Sequence, residues 1–202
     1  MKSLCFPVTI GGVRDESGND NDFIQATAAN KPTWTADEGI KAVDAADHLS
    51  ATFGSTLSDF TVIVRLKDPG SATATAYQNA LNSNNQIRVR INTTTVQGYM
   101  VQAGISTNSL NIKTGLSDGS VNTVVLRYND TSGEAWGTFN DETPVTFTRT
   151  PPDSWGTIMR LCGTNTAEPH LTPVHRIIML NRALTDAEVE TAKTMAQNGW
   201  VA

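Results

Sequence analysis

"FTVIVRLK", residues 60–67, decides the fold class. In an extended chain successive side chains point to opposite faces, so Phe60, Val62, Val64 and Leu66 share one side. The other side still carries Ile63 where a surface strand would be polar. The stretch therefore predicts a central β-strand whose second face is partly covered. Outward from it, "QIRVRIN" (86–92) alternates, with Ile87, Val89 and Ile91 inward and Gln86, Arg88 and Arg90 outward toward water. Further strands are expected at 98–103, 109–114, 122–129, 134–140, 145–150, 156–163 and 174–181. Turn clusters such as "NDTSG", "NDETP" and "TPPDSWG" separate them. Residues 11–47 lack periodicity and read as a long ordered loop with one or two short strands.

Bulk composition agrees. Hydrophobic residues make up 39% and charged residues 17% of the 202-residue chain, which is the composition of a folded domain and not of a disordered one. The chain has no internal repeat and no linker, so a single domain over 1–202 is expected. A net charge of -5 argues against a nucleic-acid partner, which would need clustered Lys and Arg; Arg88 and Arg90 are read as a solvated face. Cys5 and Cys162 are too few for a disulfide framework and are read as free thiols, with one bridge as the alternative. "MKSLCFPVTIGGV" is a poor signal peptide and too short to span a membrane. The expectation is a mature start at Met1, synthesis in the cytoplasm and no membrane insertion, so the sequons at Asn92 and Asn129 carry no weight.

The C-terminal "HRIIMLNRALTDAEVETAK" (175–193) breaks the β pattern. Thr185 and Glu188 form a Ser/Thr-x-x-Glu capping box, and Leu184 and Val189 are spaced as its hydrophobic staple. Val189, Ala192, Met195 and Ala196 make a narrow apolar stripe, and Gly199 supplies a stop. A helix this short must lean on the sheets, as a clasp.

The ending "IIMLNRALTDAEVE" resembles the last strand and terminal helix of laminin-G-like domains in the concanavalin A-like lectin and glucanase superfamily, in their phage and bacterial versions. Asn181 and Arg182 belong to that signature with Thr185 and Glu188, in structural roles. "RDESGNDNDFIQATAANKPTW" and "NTVVLRYNDTSGEAWGTFND" are similar to an early segment and a middle hairpin of the same family. The chain departs from it at Asn140-Asp141, where relatives carry Asn-Gly, and at Asp20, where they often carry glycine. The resemblance implies an all-β fold, a two-sheet antiparallel jelly-roll sandwich with a short C-terminal helix. It implies no particular activity, since the fold hosts many.

Candidate chemistry is sparse. Laminarinase-type members of the superfamily place paired acids on one strand as Glu-x-Asp-x-x-Glu; that motif is absent here, and the acids of "DAEVE" are explained by the helix cap. Asp15, Asp20 and Asp22 in "DESGNDND" offer oxygen ligands for calcium, with an Asx-type turn as the plainer reading. Glu168, His170 and His175, with His48 elsewhere, do not make a metal set. Of Trp34, Trp136, Trp155 and Trp200, at least two are expected in the core. Trp136 and Trp155, close to turns, are the first choices for a sugar-stacking surface.

The expectation drawn from all this is a non-enzymatic virion surface component of a bacteriophage, on the head or the tail. It would work through contacts with other virion proteins, with a host glycan as a further ligand and a homo-oligomer compatible with the role. The competing class is a carbohydrate-binding module that recognises a host cell-surface glycan.

Overall fold

The computed structural model describes residues 8–9, 12–13, 21–36, 39–44, 46–52, 57–68, 74–82, 85–102, 105–116, 119–148, 155–161 and 173–198. Within them the chain forms β1 (Val8–Thr9), β2 (Gly12–Val13), β3 (Phe23–Ile24), β4 (Thr33–Thr35), β5 (Gly39–Lys41), β6 (Leu49–Thr52), β7 (Phe60–Lys67) and β8 (Ala74–Asn82). There follow β9 (Asn85–Asn92), β10 (Thr95–Gln102), β11 (Ile105–Lys113), β12 (Val121–Asn129), β13 (Glu134–Phe139), β14 (Val145–Thr148), β15 (Ile158–Leu161), β16 (Val174–Leu180) and the helix α1 (Asp186–Asn198).

The strands make two eight-stranded sheets. Sheet A runs β1-β4-β5-β16-β7-β12-β13-β14 and sheet B runs β11-β10-β9-β8-β15-β6-β3-β2. Every described pairing is antiparallel. Each sheet has an apolar side that must be covered, and the two cover one another. Phe60, Val62, Val64 and Leu66 of β7 lie in one core cluster with Ile87, Val89 and Ile91 of β9 and Met159 and Leu161 of β15. Close approach of the sheets is built in at Gly98, where a Cβ would sit 2.6 Å from Cδ1 of Leu126 in the opposite sheet.

Ile63, on the far side of β7, is covered by α1. With Val125 and Trp136 it packs against Leu184, Val189, Ala192 and Ala196 in a second apolar cluster. The Thr185 N–H donates to Oε2 of Glu188 at 2.8 Å, and the Glu188 N–H reaches Oγ1 of Thr185 at 3.4 Å, closing the capping box. Leu184 and Val189, on either side of the cap, are both buried. Arg182 pairs with Glu188 at 2.8 Å, and its carbonyl accepts from Oγ1 of Thr61 at 2.9 Å; Asn181 is exposed. Two arginines of sheet A hold the other end: Arg176 Nη1 donates to the carbonyls of Met195 and Ala196, each at 2.8 Å, and Arg65 donates to that of Gln197. Cations at helix C-terminal carbonyls complement both the orphan acceptors and the macrodipole. Gly199, the expected stop, lies outside the described residues, as do Cys5 and Cys162.

The N-terminal third departs from expectation. It contains β2 to β5 and a 3-10 turn at Ala28–Asn30 where one or two strands were expected. β6 and β8 were also unforeseen. The apolar positions of β8 are mostly alanine, and its register with β9 shifts between Thr75 and Tyr77, which breaks the period of two.

Candidate functional site

The two sheets differ in what covers their outer faces. On sheet B no described helix lies over the strands, and the face is set by alternation. Val89, Gly98 and Leu110 sit on inward-facing positions, so Gln86, Arg88 and Arg90 of β9, Gln97 and Tyr99 of β10 and Asn111 of β11 face away from the core. Arg160 and Ile158 of β15 flank the core residues Met159 and Leu161 in the same way and share this outer face.

These side chains are organised among themselves. Arg88 Nε donates to Oε1 of Gln86 at 2.9 Å. Arg90 Nε donates to Oε1 of Gln97 at 3.0 Å, and Gln97 Nε2 donates on to Oδ1 of Asn111 at 2.8 Å. The Arg90 guanidinium lies 4.0 Å from the centroid of the Tyr99 ring and that of Arg88 lies 5.5 Å from it, both within cation–π range. The expectation of a water-facing β9 is therefore corrected. Gln86, Arg88 and Gln97 are only 5%, 4% and 8% exposed, and Arg90 and Tyr99 are half-buried, so these side chains are bonded to one another and are not separately solvated.

Charge is segregated as well. The strands of sheet B contain Arg88, Arg90, Lys113 and Arg160 but no Asp or Glu, in a chain whose net charge is -5. Lys113 pairs with Glu142, at the margin toward sheet A. Arg160 makes no ion pair among the described residues. Burial lowers its pKa from the ordinary value, the mark of a cation held partly out of water.

The two tryptophans chosen from sequence sit elsewhere. Trp155 is fully buried and meets Tyr128 edge-on at 5.8 Å and Phe60 edge-on at 6.2 Å; its backbone N–H donates to the Leu57 carbonyl at 2.8 Å. It has no face for a sugar, and the expectation for it is corrected: proximity to a turn did not mean exposure, because the inter-sheet core reaches to the start of β15. Trp136 lies under α1 with Arg127 over its ring at 4.5 Å. Its edge borders a cavity of about 360 Å³ formed with Asp141, Glu142, Pro144, Glu190 and Lys193. The cation there is compensated, since Lys193 reaches Asp141 at 2.9 Å and Glu190 at 3.0 Å. Burial works against its charge, but hydrogen bonds to the two carboxylates outweigh it and raise its pKa. The exposed tryptophan is Trp34, at 40%.

Asp15 and Asp20 lie outside the described residues, and so do Glu168 and His170; Asp22 is exposed. Among the described residues no group of three or more His, Cys, Asp or Glu side chains is placed to hold a metal. His48 contacts Gln25 Nε2 at 3.3 Å through Nε2, and burial, then Arg65 and Lys67, lowers the pKa of His175. No described helix is long and apolar enough to cross a membrane. Sequence reasoning missed Tyr99, Gln97 and Arg160 as members of one surface. Four of the strands involved, β9, β10, β11 and β15, were expected, but which of them are neighbours is a property of the sheet order.

No protein-family model matches the chain, and no curated protein matches it in sequence. Solved structures do. The CBM40 module of the Ruminococcus gnavus IT-sialidase, bound to α2,3 sialyllactose, superposes with a TM-score of 0.57 at 15% identity, covering 68% of this chain and 83% of that one. A native heptameric SAP-like pentraxin from Limulus polyphemus gives 0.52 at 18% identity, over 74% and 75% of the two chains. The LG4-5 domains of the mouse laminin α1 chain give 0.54 at 16% identity, over 68% and 40%. The fold is a concanavalin A-like jelly roll. At these identities the likeness establishes that architecture, two antiparallel sheets with one C-terminal helix, and leaves function to be argued from the surface.

Proposed function

We propose that the protein is a non-catalytic, lectin-like module that binds a glycan on the outer face of sheet B. The observation that carries this reading is the preorganised ladder of amide and guanidinium groups around Tyr99, on the sheet face that the helix leaves open. Sugars present many hydroxyls and one apolar ring face, and they are matched by planar hydrogen-bonding side chains beside an aromatic ring. Groups already fixed by Arg90–Gln97–Asn111 and Arg88–Gln86 lose little freedom on binding. The sialidase-associated CBM40 neighbour, whose structure holds sialyllactose, supports the ligand class.

The laminin-G-like resemblance of phage and bacterial type supports placing such a module on a virion, where the glycan would be the host's. That second reading is compatible with the first. It is tested by whether the protein copurifies with particles.

Glycan binding is tested on a glycan array followed by calorimetry. Tyr99→Ala is expected to weaken binding at least about tenfold, in keeping with the loss of an aromatic contact and its ordered neighbours, while Trp136→Ala leaves it unchanged. An array without a single hit, or affinity lost with Trp136 and kept without Tyr99, rejects the reading.

A further inference from the structure

The composition of sheet B carries one step more. An overall acidic chain that excludes Asp and Glu from these eight strands places three arginines on their outer face, side chains opposite in sign to its net charge. The arginines are also in register. Arg160 pairs with Gln78 of β8, and Gln78 pairs with Arg88 of β9, so Arg160 and Arg88 stand on one transverse row. Two strand spacings put their backbones about 10 Å apart on that row. Arg90 is two residues along from Arg88, on the same side.

The three arginines are not equivalent. Arg88 and Arg90 are tied to amides and to the Tyr99 ring. Arg160 makes no ion pair among the described residues, although it is only partly exposed. Ile158, 37% exposed, lies two residues before it, and Ile24, 58% exposed, stands beyond Ser50, its partner on β6. A guanidinium partly removed from water gains most from an oxyanion that accepts two parallel N–H bonds, because partial desolvation strengthens the pair.

Resting on the glycan reading, we infer that the ligand is an anionic saccharide whose carboxylate or sulfate docks on Arg160, with the partly exposed Arg90 and Tyr99 further along the face holding the sugar. The shared chemistry is a planar or tetrahedral oxyanion on a sugar ring, and charge complementarity with the acid-free sheet selects it.

The test uses lactose, sialyllactose and sulfated lactose as a matched neutral, carboxylated and sulfated set, with calorimetry on the full chain. The expected result is an acidic member bound at least about tenfold more tightly than lactose, a preference that falls as salt is added. Comparing the sialylated and sulfated arms tells which oxyanion is preferred. Arg160→Gln should remove the preference, so that the variant binds acidic and neutral saccharides alike; Arg160→Lys, which keeps the charge without the fork, should retain part of it. Thermal melts of both variants verify folding.

Inorganic sulfate, titrated against protein labelled with 15N-arginine, reads the anion site without any sugar. The Nε–H signal of Arg160 should move first among the arginines. Equal affinity for all three saccharides overturns the anionic inference and leaves the glycan reading standing. Sulfate moving Arg160 while no saccharide binds has the opposite meaning, an anion site without a lectin. If sulfate leaves Arg160 unmoved, the inference fails.

Discussion

The outer faces of the two sheets are built on the same alternation and have opposite fates. On sheet A the outward positions of the central strands include Ile63 and Val125, and α1 is laid over them. The helix is fastened at its N-terminal end, where Arg127 Nη1 donates to the Leu184 carbonyl at 2.6 Å and pairs with Asp186 at 2.8 Å, and at its C-terminal end by Arg176 and Arg65. On sheet B the outward positions of β9 and β10, with Asn111 of β11, include amides, arginines and a tyrosine that bind one another laterally. Arginine therefore does two jobs in one molecule. Where its partners are carbonyls and carboxylates of the same chain it is a fastener; Arg160, which makes no ion pair among the described residues, is the one we propose meets a ligand.

The largest expected effect would break that contrast at its apolar end. Ile63→Ala should cost about 2–5 kcal/mol in urea unfolding, the range for emptying a buried aliphatic site, whereas Ile158→Ala on the open face should stay within about 0.5 kcal/mol. Similar losses from the two would mean that sheet B is covered too.

Next in size is the fastening of the helix. Thr185→Ala removes the cap and should cost about 1 kcal/mol, read as a lower urea midpoint, with no loss of saccharide affinity because the cap lies on the far sheet. A fall in affinity would show that the two faces are coupled.

A smaller effect should appear in acid. The backbone N–H and hydroxyl of Thr185, then Arg182, hold the Glu188 carboxyl below its ordinary value. The stabilisation is present above the unfolded carboxylate pKa and is lost as pH falls through the folded one. Glu188→Gln should flatten this part of the stability profile, measured as thermal midpoint against pH.

The smallest concerns His175, whose pKa is lowered by burial and then by Arg65 and Lys67. The unfolded chain binds the proton first, so stability should decline as pH drops below the ordinary 6.5 and level off beneath the folded value. A profile for His175→Gln that keeps the same slope between those limits would remove His175 as its source.

Much of the architecture could be read directly from residues. The apolar pattern of 60–67, the alternation of 86–92 and the capping box at Thr185 are local, because each depends on a period or a spacing of a few positions along one chain. The same locality explains what was hidden. β8 has alanines and a register shift where a pattern was needed, and the 11–47 region makes strands of two or three residues, too short to show a period.

By itself, then, the sequence determined that there would be two greasy-sided sheets and a capped helix, since hydrophobic periodicity and capping act over a few neighbouring residues. It also held the absence of acids from the strands of sheet B. Only the tertiary structure decided which sheet the helix closes, that Trp155 is core, and that Arg160, Arg88 and Tyr99 stand together. Residues 61 positions apart become row-mates through hydrogen bonds between strands that no local spacing encodes, as Tyr99 and Arg160 do across β10, β9, β8 and β15.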